Sequence, residues 1–353
     1  GVSLSGRATA TAIGMLTEPW DPDVRAAGYS AVTAFQLDAE AGSPGVSDVD
    51  ASVVLSMYHG QAATAALMAP GAAVYHSGSQ GTAVGFELAT LRLAVYAPWA
   101  DFSVGRMPVN FGRGTVLSPV DIFSPVNTGD LALGRTGTDA FRMLVPLGTT
   151  GGLDAVASLA AEPGDSVAGA RVYGNLAGLD AGLSLFRDGA AGQAVFGLDL
   201  KADLVLGLCA EAVARMRLDG WTPDPADAMY SVMAGADYSF GGAVVVDAEY
   251  QWHVVRGAAV PVGTFRAEHT AFLSLSWAVD DANALDVRGL WSPSNDAWQT
   301  TVAWSASVDR GLGVVAYALW RSGDLEGMFQ GLPAPPEALA ERMAAGVMVS
   351  LDF

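Results

Sequence analysis

Four histidines, a single cysteine and two groupings of charged residues are the side chains of this 353-residue chain whose types and spacing could do chemistry. His253 has the same parity as Asp247 and Glu249, so in an extended segment the three share a face and could set a base beside carboxylates. His269 directly follows Glu268. Neither grouping is accompanied by a GxSxG nucleophile or an HExxH ligand pair, and no glycine-rich phosphate loop opens a helix. Catalysis, nucleotide use and a bound metal or other cofactor are therefore not expected. Cys209 alone can form no internal disulfide and no thiolate cluster, and it reads as an ordinary buried thiol. The second grouping is electrostatic. Arg106, Arg113 and Arg135 are interleaved with Asp121, Asp130 and Asp139 in a stretch rich in glycine and proline. Fixed charges of both signs facing one another across an opening make a transverse field, the device by which a pore selects solutes.

Composition limits where such an opening could be. Apolar residues make up 51% of the chain and charged ones only 16%, against about 25% in ordinary soluble domains. No stretch approaches the roughly 18 uncharged apolar residues of a spanning helix. A closed barrel is the other structure that satisfies every backbone group inside a bilayer, and it can turn its apolar face to lipid. The 42 glycines suit tight turns and crowded wall positions. A net charge of -19 argues against nucleic acid or an anionic membrane surface as partner and fits an acidic lumen or acidic outer loops.

Strict alternation, the period of a strand with two unlike faces, recurs along the whole chain. In 343 to 353, Met343, Ala345, Val347, Val349, Leu351 and Phe353 oppose Ala344, Gly346, Met348, Ser350 and Asp352. In 243 to 253, Val244, Val246, Ala248, Tyr250 and Trp252 oppose Asp247, Glu249, Gln251 and His253. Residues 48 to 58, 230 to 240 and 298 to 308 behave alike, and thirteen weaker runs bring the total to about 18 strands, with 16 equally compatible. Short punctuators such as Gly148 to Gly152, Asp188 to Gly192, Ser239 to Gly242 and Asp309 to Gly311 alternate with long connections at 60 to 82, 110 to 136 and 322 to 340. The last contains PAPPEALAER, read as a short loop helix. Trp20, Tyr96, Trp99, Trp252, Trp277, Trp291, Trp298 and Trp320 fall near strand ends, as aromatic girdles do. The opening GVSLSGRATATA lacks a basic and then apolar leader, so an export signal is expected to have been removed. Alternation from residue 3 leaves no N-terminal plug.

The ending VMVSLDF resembles the C-terminal strand of bacterial outer-membrane proteins of the porin class. That resemblance implies that Phe353 belongs to the signal read by the barrel-assembly machinery, that the wall meets outer-membrane lipid in a Gram-negative bacterium, and that a homotrimer forms. The segment GRMPVNFGRGTVLSPVDIFSP at 105 to 125 is similar to one in porins and polysaccharide-associated barrels. There a strand ending Gly-Arg-Gln leads to Trp-Gly and then Pro-Val-Asp; here Met107 stands for Gln and Phe111 for Trp.

The expectation is thus all-β: residues 1 to 353 form one transmembrane antiparallel barrel of 16 to 18 strands, wide enough for an aqueous lumen. The segment 110 to 136 either folds into that lumen or packs on the outer rim with its arginines solvated. In the first case Arg106, Arg113, Asp121, Arg135 and Asp139 build a constriction. Inward positions would include Arg7, Asp38, Asp48, Asp50, Arg92, Asp199, Lys201, Glu211, Arg215, Asp237, Asp247, Glu249, His253, Glu268, Asp286 and Arg288. Acid outnumbers base there, so passive diffusion of small solutes with a cation preference is expected. The competing reading is a transporter of hydrophobic or specific organic molecules, or a surface barrel that binds a ligand.

Overall fold

A computed structural model describes residues 2–19, 26–60, 73–76, 81–124, 126, 131, 133–257, 268–324 and 341–353. The strands are β1 (Val2–Thr17), β2 (Ala26–Ser43), β3 (Ser47–Gly60), β4 (Ala73–His76), β5 (Thr82–Tyr96), β6 (Asp101–Met107), β7 (Thr138–Pro146), β8 (Gly151–Ser158), β9 (Val167–Leu176) and β10 (Leu179–Asp188). They continue as β11 (Gln193–Asp203), β12 (Gly207–Asp219), β13 (Thr222–Phe240), β14 (Val244–Val255), β15 (His269–Ala278), β16 (Asn283–Ser292), β17 (Ala297–Asp309), β18 (Leu312–Ser322) and β19 (Glu341–Asp352). Each pairs antiparallel with its neighbour, and β19 returns to pair with β1 from Arg7↔Asp352 to Thr17↔Glu341. The short β4 pairs only with one end of β5, so the closed ring has 18 strands. The sequence reading missed β4 and found the ring. Among the described residues the one helical element is a 3-10 turn at Pro163–Asp165, and no helix is long and apolar enough to cross a membrane.

Closure satisfies the wall's backbone donors and acceptors without an edge, which is the condition for standing in hydrocarbon. The apolar side chains then face outward. Leu183 is 65% exposed and Leu273 56%, while Asp199 and Glu211, on the inner face, are 0% and 1% exposed. A soluble core would show the reverse; this is the pattern of a barrel wall suited to hydrocarbon, where removing such a side chain from water is worth roughly 1.5–3 kcal/mol.

Connection lengths are sorted by end. At the end holding both termini the links are short, such as 44–46, 97–100, 177–178, 241–243 and 310–311. The opposite end carries 61–72 before β4, then 108–137, 256–268 and 323–340. Periplasmic turns and extracellular loops differ in this way. The links 189–192, 220–221 and 293–296 are exceptions to the pattern, short connections at the long-loop end. The outward aromatics also form two tiers: Trp252, Trp291, Trp298 and Trp320 lie toward the long loops, with Trp298 and Trp320 4.9 Å apart, whereas Trp99 and Trp277 lie toward the turns. Tyr96 departs from the expected girdle. It points inward, and its hydroxyl donates to Asp48 Oδ2 at 2.6 Å. Glu268 departs in the other direction: it accepts from the outward Trp252 Nε1 at 3.2 Å. Trp20, Asp130 and residues 333–340 of the expected loop helix lie outside the described residues; its last two, Glu341 and Arg342, are not helical but begin β19.

Candidate functional site

Inward positions of β9, β11, β12 and β14 carry Arg171, Asp199, Glu211 and Glu249, all nearly fully buried. Alternation places them inside: each stands two residues from other inward groups, and Asp199 is the Cα partner of Glu211 across β11 and β12. What buries them is the connection between β6 and β7, which turns into the lumen instead of rising over the rim. Residues 109–124 pack against inward side chains of the wall.

Apolar contact and hydrogen bonding both fix that segment. Phe111 and Phe123 pack on the inward Phe186 of β10 with ring centroids 5.3 and 5.4 Å away, in a cluster that includes Val109, Val120, Val195 and Val213. Val116 and Leu117 enter a second cluster with Met233, Phe272 and Leu290. Glu211 accepts from the backbone N–H of Arg113 (2.5 Å), Gly114 (3.0 Å) and Val120 (3.1 Å) and from Ser118 Oγ (2.9 Å). Glu249 accepts from the N–H of Thr115, Val116 (3.1 Å) and Leu117 (2.7 Å). Two carboxylates facing each other's strand in a dry interior would repel. Asp199 is instead neutralised by Arg171, bidentate at 2.8 and 2.6 Å, and by Arg113 at 2.7 Å, while Glu211 is satisfied by loop amides.

The expected constriction is brought together only in part. Arg113 reaches Asp199, and Arg135 pairs with Asp121 inside the loop, its guanidinium also donating to Ser124 O at 2.8 Å. Burial pulls the Arg135 guanidinium below its ordinary pKa. Arg106 and Asp139 bind each other bidentately at 2.8 and 2.6 Å, on the same side of the wall as the outward Val104 and Phe141. They therefore stand apart from the loop charges, and alternation is the reason: Met107 and Ala140, their neighbours, take the inward positions. A transverse field of free charges from these five residues does not form, because each arginine is closed into a contact pair. Reading charge and spacing without strand parity put Arg106 and Asp139 on the wrong face.

Asp247, Glu249 and His253 share the inward face of β14, and Asp247 is the Cα partner of Asp237. Asp286 accepts from Ser276 Oγ at 2.5 Å. Arg288 lines an open cleft between the loop and the wall of β15 to β18, with Val116, Leu133, Phe272, Leu290 and Tyr317. Among the described residues no carboxylate lies within ion-pair distance of Arg288. His269 takes the outer face, where Tyr250 Oη meets its Nδ1 at 2.5 Å. Arg142, bidentate to Asp154 at 2.9 and 2.5 Å beneath Phe111, is an inner-wall pair the sequence reading passed over. Its parity in 138 to 148 was the available signal.

No protein-family model and no curated protein matches this sequence. Solved structures do. The chain is similar to Pseudomonas aeruginosa OccK11 (OpdR), with TM-score 0.60 and 9% identity over 100% of this chain and 96% of that one. It is similar to Acinetobacter baumannii OccAB4, with TM-score 0.58 and 8% identity over 99% and 98%. For Pseudomonas aeruginosa OpdK with vanillate the values are 0.58 and 11% over 99% and 98%. These likenesses show the fold, a closed antiparallel barrel of 18 strands, here with a connection folded inside it.

Proposed function

We propose that the chain is a passive diffusion channel of a bacterial outer membrane, narrowed from one side by the lumen residues 109–124. The observation that carries this reading is the asymmetry of the interior. Loop and wall fuse into packed clusters from β7 round to β17, and beside them, against β15 to β18, a cleft stays open at Arg288. An 18-strand ring is wide enough for water to remain. Inward Asp38, Asp48, Asp237, Asp247 and Asp286 lack arginine or lysine partners among the described residues, which favours cations over anions. The remaining expected partners follow from the class: lipid at the wall, assembly machinery at Phe353, small solutes in the lumen and a homotrimer.

A second reading, transport of specific organic molecules, draws support from the same cavity, whose lining is largely apolar around one guanidinium. It also draws support from the vanillate named with the similar OpdK structure. Planar-bilayer recording of the refolded protein tests both. Steady stepwise currents that discriminate little among small ions and sugars support free diffusion; currents interrupted by vanillate and not by sugars support the second reading. A folded barrel that passes no current overturns the first.

A further inference from the structure

We infer that Glu211 and Glu249 are positioning residues that hold the tip of the lumen segment, residues 113–120, against the wall and so keep the passage beside it open. The inference rests on the reading of the lumen as a diffusion path. Its basis is the number and direction of the donors. The N–H groups of Arg113, Gly114, Thr115, Val116 and Leu117, consecutive in sequence, and that of Val120 all end on these two side chains. Successive amides on one side of a turn form a concavity of positive potential that takes an anion. Here the wall supplies the anion in two parts, one from β12 and one from β14, and Met233 of the intervening β13 packs beneath Gly114.

The turn is built to this purpose. A Cβ on Gly114 would stand 2.2 Å from Leu117 O, so the amides converge only because that position has no side chain. The acceptors are equally specific. A carboxylate offers acceptor sites on both oxygens, whereas a carboxamide sets an amino group against an N–H. With either glutamate neutralised, several buried amides lose their partner. The tip then moves toward water, into the cleft lined by Val116, which on the diffusion reading lies along the path. Release therefore obstructs the path intermittently.

The test is single-channel recording of the Glu211→Gln, Glu249→Gln double variant, folded as judged by heat-modifiable migration. Mean conductance is expected to fall by about half, with low-frequency open-channel noise that the parent lacks. Thr115→Pro removes the donors of Thr115, to Glu249 and to Asp247, from the loop side and leaves the wall intact; it is expected to show the same noise. Asp237→Asn removes an inward charge that does not touch the loop; it is expected to lower cation preference and to add no open-channel noise. Parent-like currents in both the double variant and Thr115→Pro overturn the inference, as does an equal change in Asp237→Asn, which would trace the effect to charge alone. If the parent itself is silent, the diffusion reading falls, and hydrogen exchange of the amides of 113–117 still decides the clamp. Exchange at least about tenfold faster in the double variant supports it, and unchanged exchange overturns it.

Discussion

The ring of Phe353 lies over the backbone of Gly6: a Cβ at Gly6 would stand 2.6 Å from Phe353 Cζ. The two residues also exchange backbone hydrogen bonds, Gly6 N–H to Phe353 O at 2.8 Å and Phe353 N–H to Gly6 O at 2.9 Å. Beside them Arg7 and Asp352, Cα partners in the seam, form an ion pair at 2.5 Å. The aromatic side chain thus covers a glycine on the strand that must close the barrel, a device that stabilises glycine in sheets.

Gly6→Val is expected to displace that ring and weaken closure. Overpacking of this kind costs about 1–3 kcal/mol. The measurement is the folded fraction on heat-modifiable electrophoresis after refolding into lipid, with Phe353→Ala as companion. If the seam geometry is what matters, Gly6→Val and Phe353→Ala together lose little more than either alone, because both remove the same contact.

Asp199→Asn is expected to be among the most damaging single substitutions in the lumen. Asp199 serves two guanidinium groups, those of Arg171 and Arg113, in a site that is 0% exposed. Removing the anion leaves buried cations without compensation, which costs about 3–5 kcal/mol. Denaturant unfolding of the refolded barrel reads this directly. A midpoint shift equivalent to under about 1 kcal/mol, the size of a surface pair, would show that water reaches both arginines.

Much of this architecture was legible from alternation, and the reason is physical. A two-faced strand fixes both the wall and the direction of its side chains, so all the ring strands and the inward Asp199, Glu211, Glu249, Asp286 and Arg288 could be read from parity. The lumen connection was legible only as a surplus of glycine, proline and charge. Its actual anchors are backbone amides of 113–117 and 120, and donors that every residue possesses leave no mark in a sequence. The pairing of Arg106 with Asp139 on the outer face shows the converse hazard: complementary charges suggested a pore field, and parity, read strictly from Val104 through Met107, assigned them elsewhere.

Phe186→Ala is expected to loosen the lumen segment without opening the wall. Phe186 is 2% exposed, and two loop rings, Phe111 and Phe123, pack on it. Truncating such a ring costs about 3–5 kcal/mol where the site cannot collapse. Strand content by circular dichroism should be retained, since β10 keeps its ladder to β9 and β11. Faster exchange confined to residues 109–124 would locate the loss in the loop; uniform acceleration across β9 to β11 would count against that division.

Arg288→Gln is expected to raise cation preference. Arg288 lines the open cavity, and its register partners, Ser274 and Thr301, carry no charge. A permeating cation passing at about 4 Å loses a repulsion of about 1 kcal/mol in a water-like medium. That corresponds to about a fivefold change in relative permeability, read from the reversal potential under a potassium chloride gradient. Arg288→Lys keeps the charge and should keep the parent value, which separates the electrostatic role from side-chain bulk. An unchanged reversal potential in Arg288→Gln would mean that ions pass along another part of the lumen, by the inward carboxylates of β2 and β3, and that the cavity beside Arg288 is no part of their route.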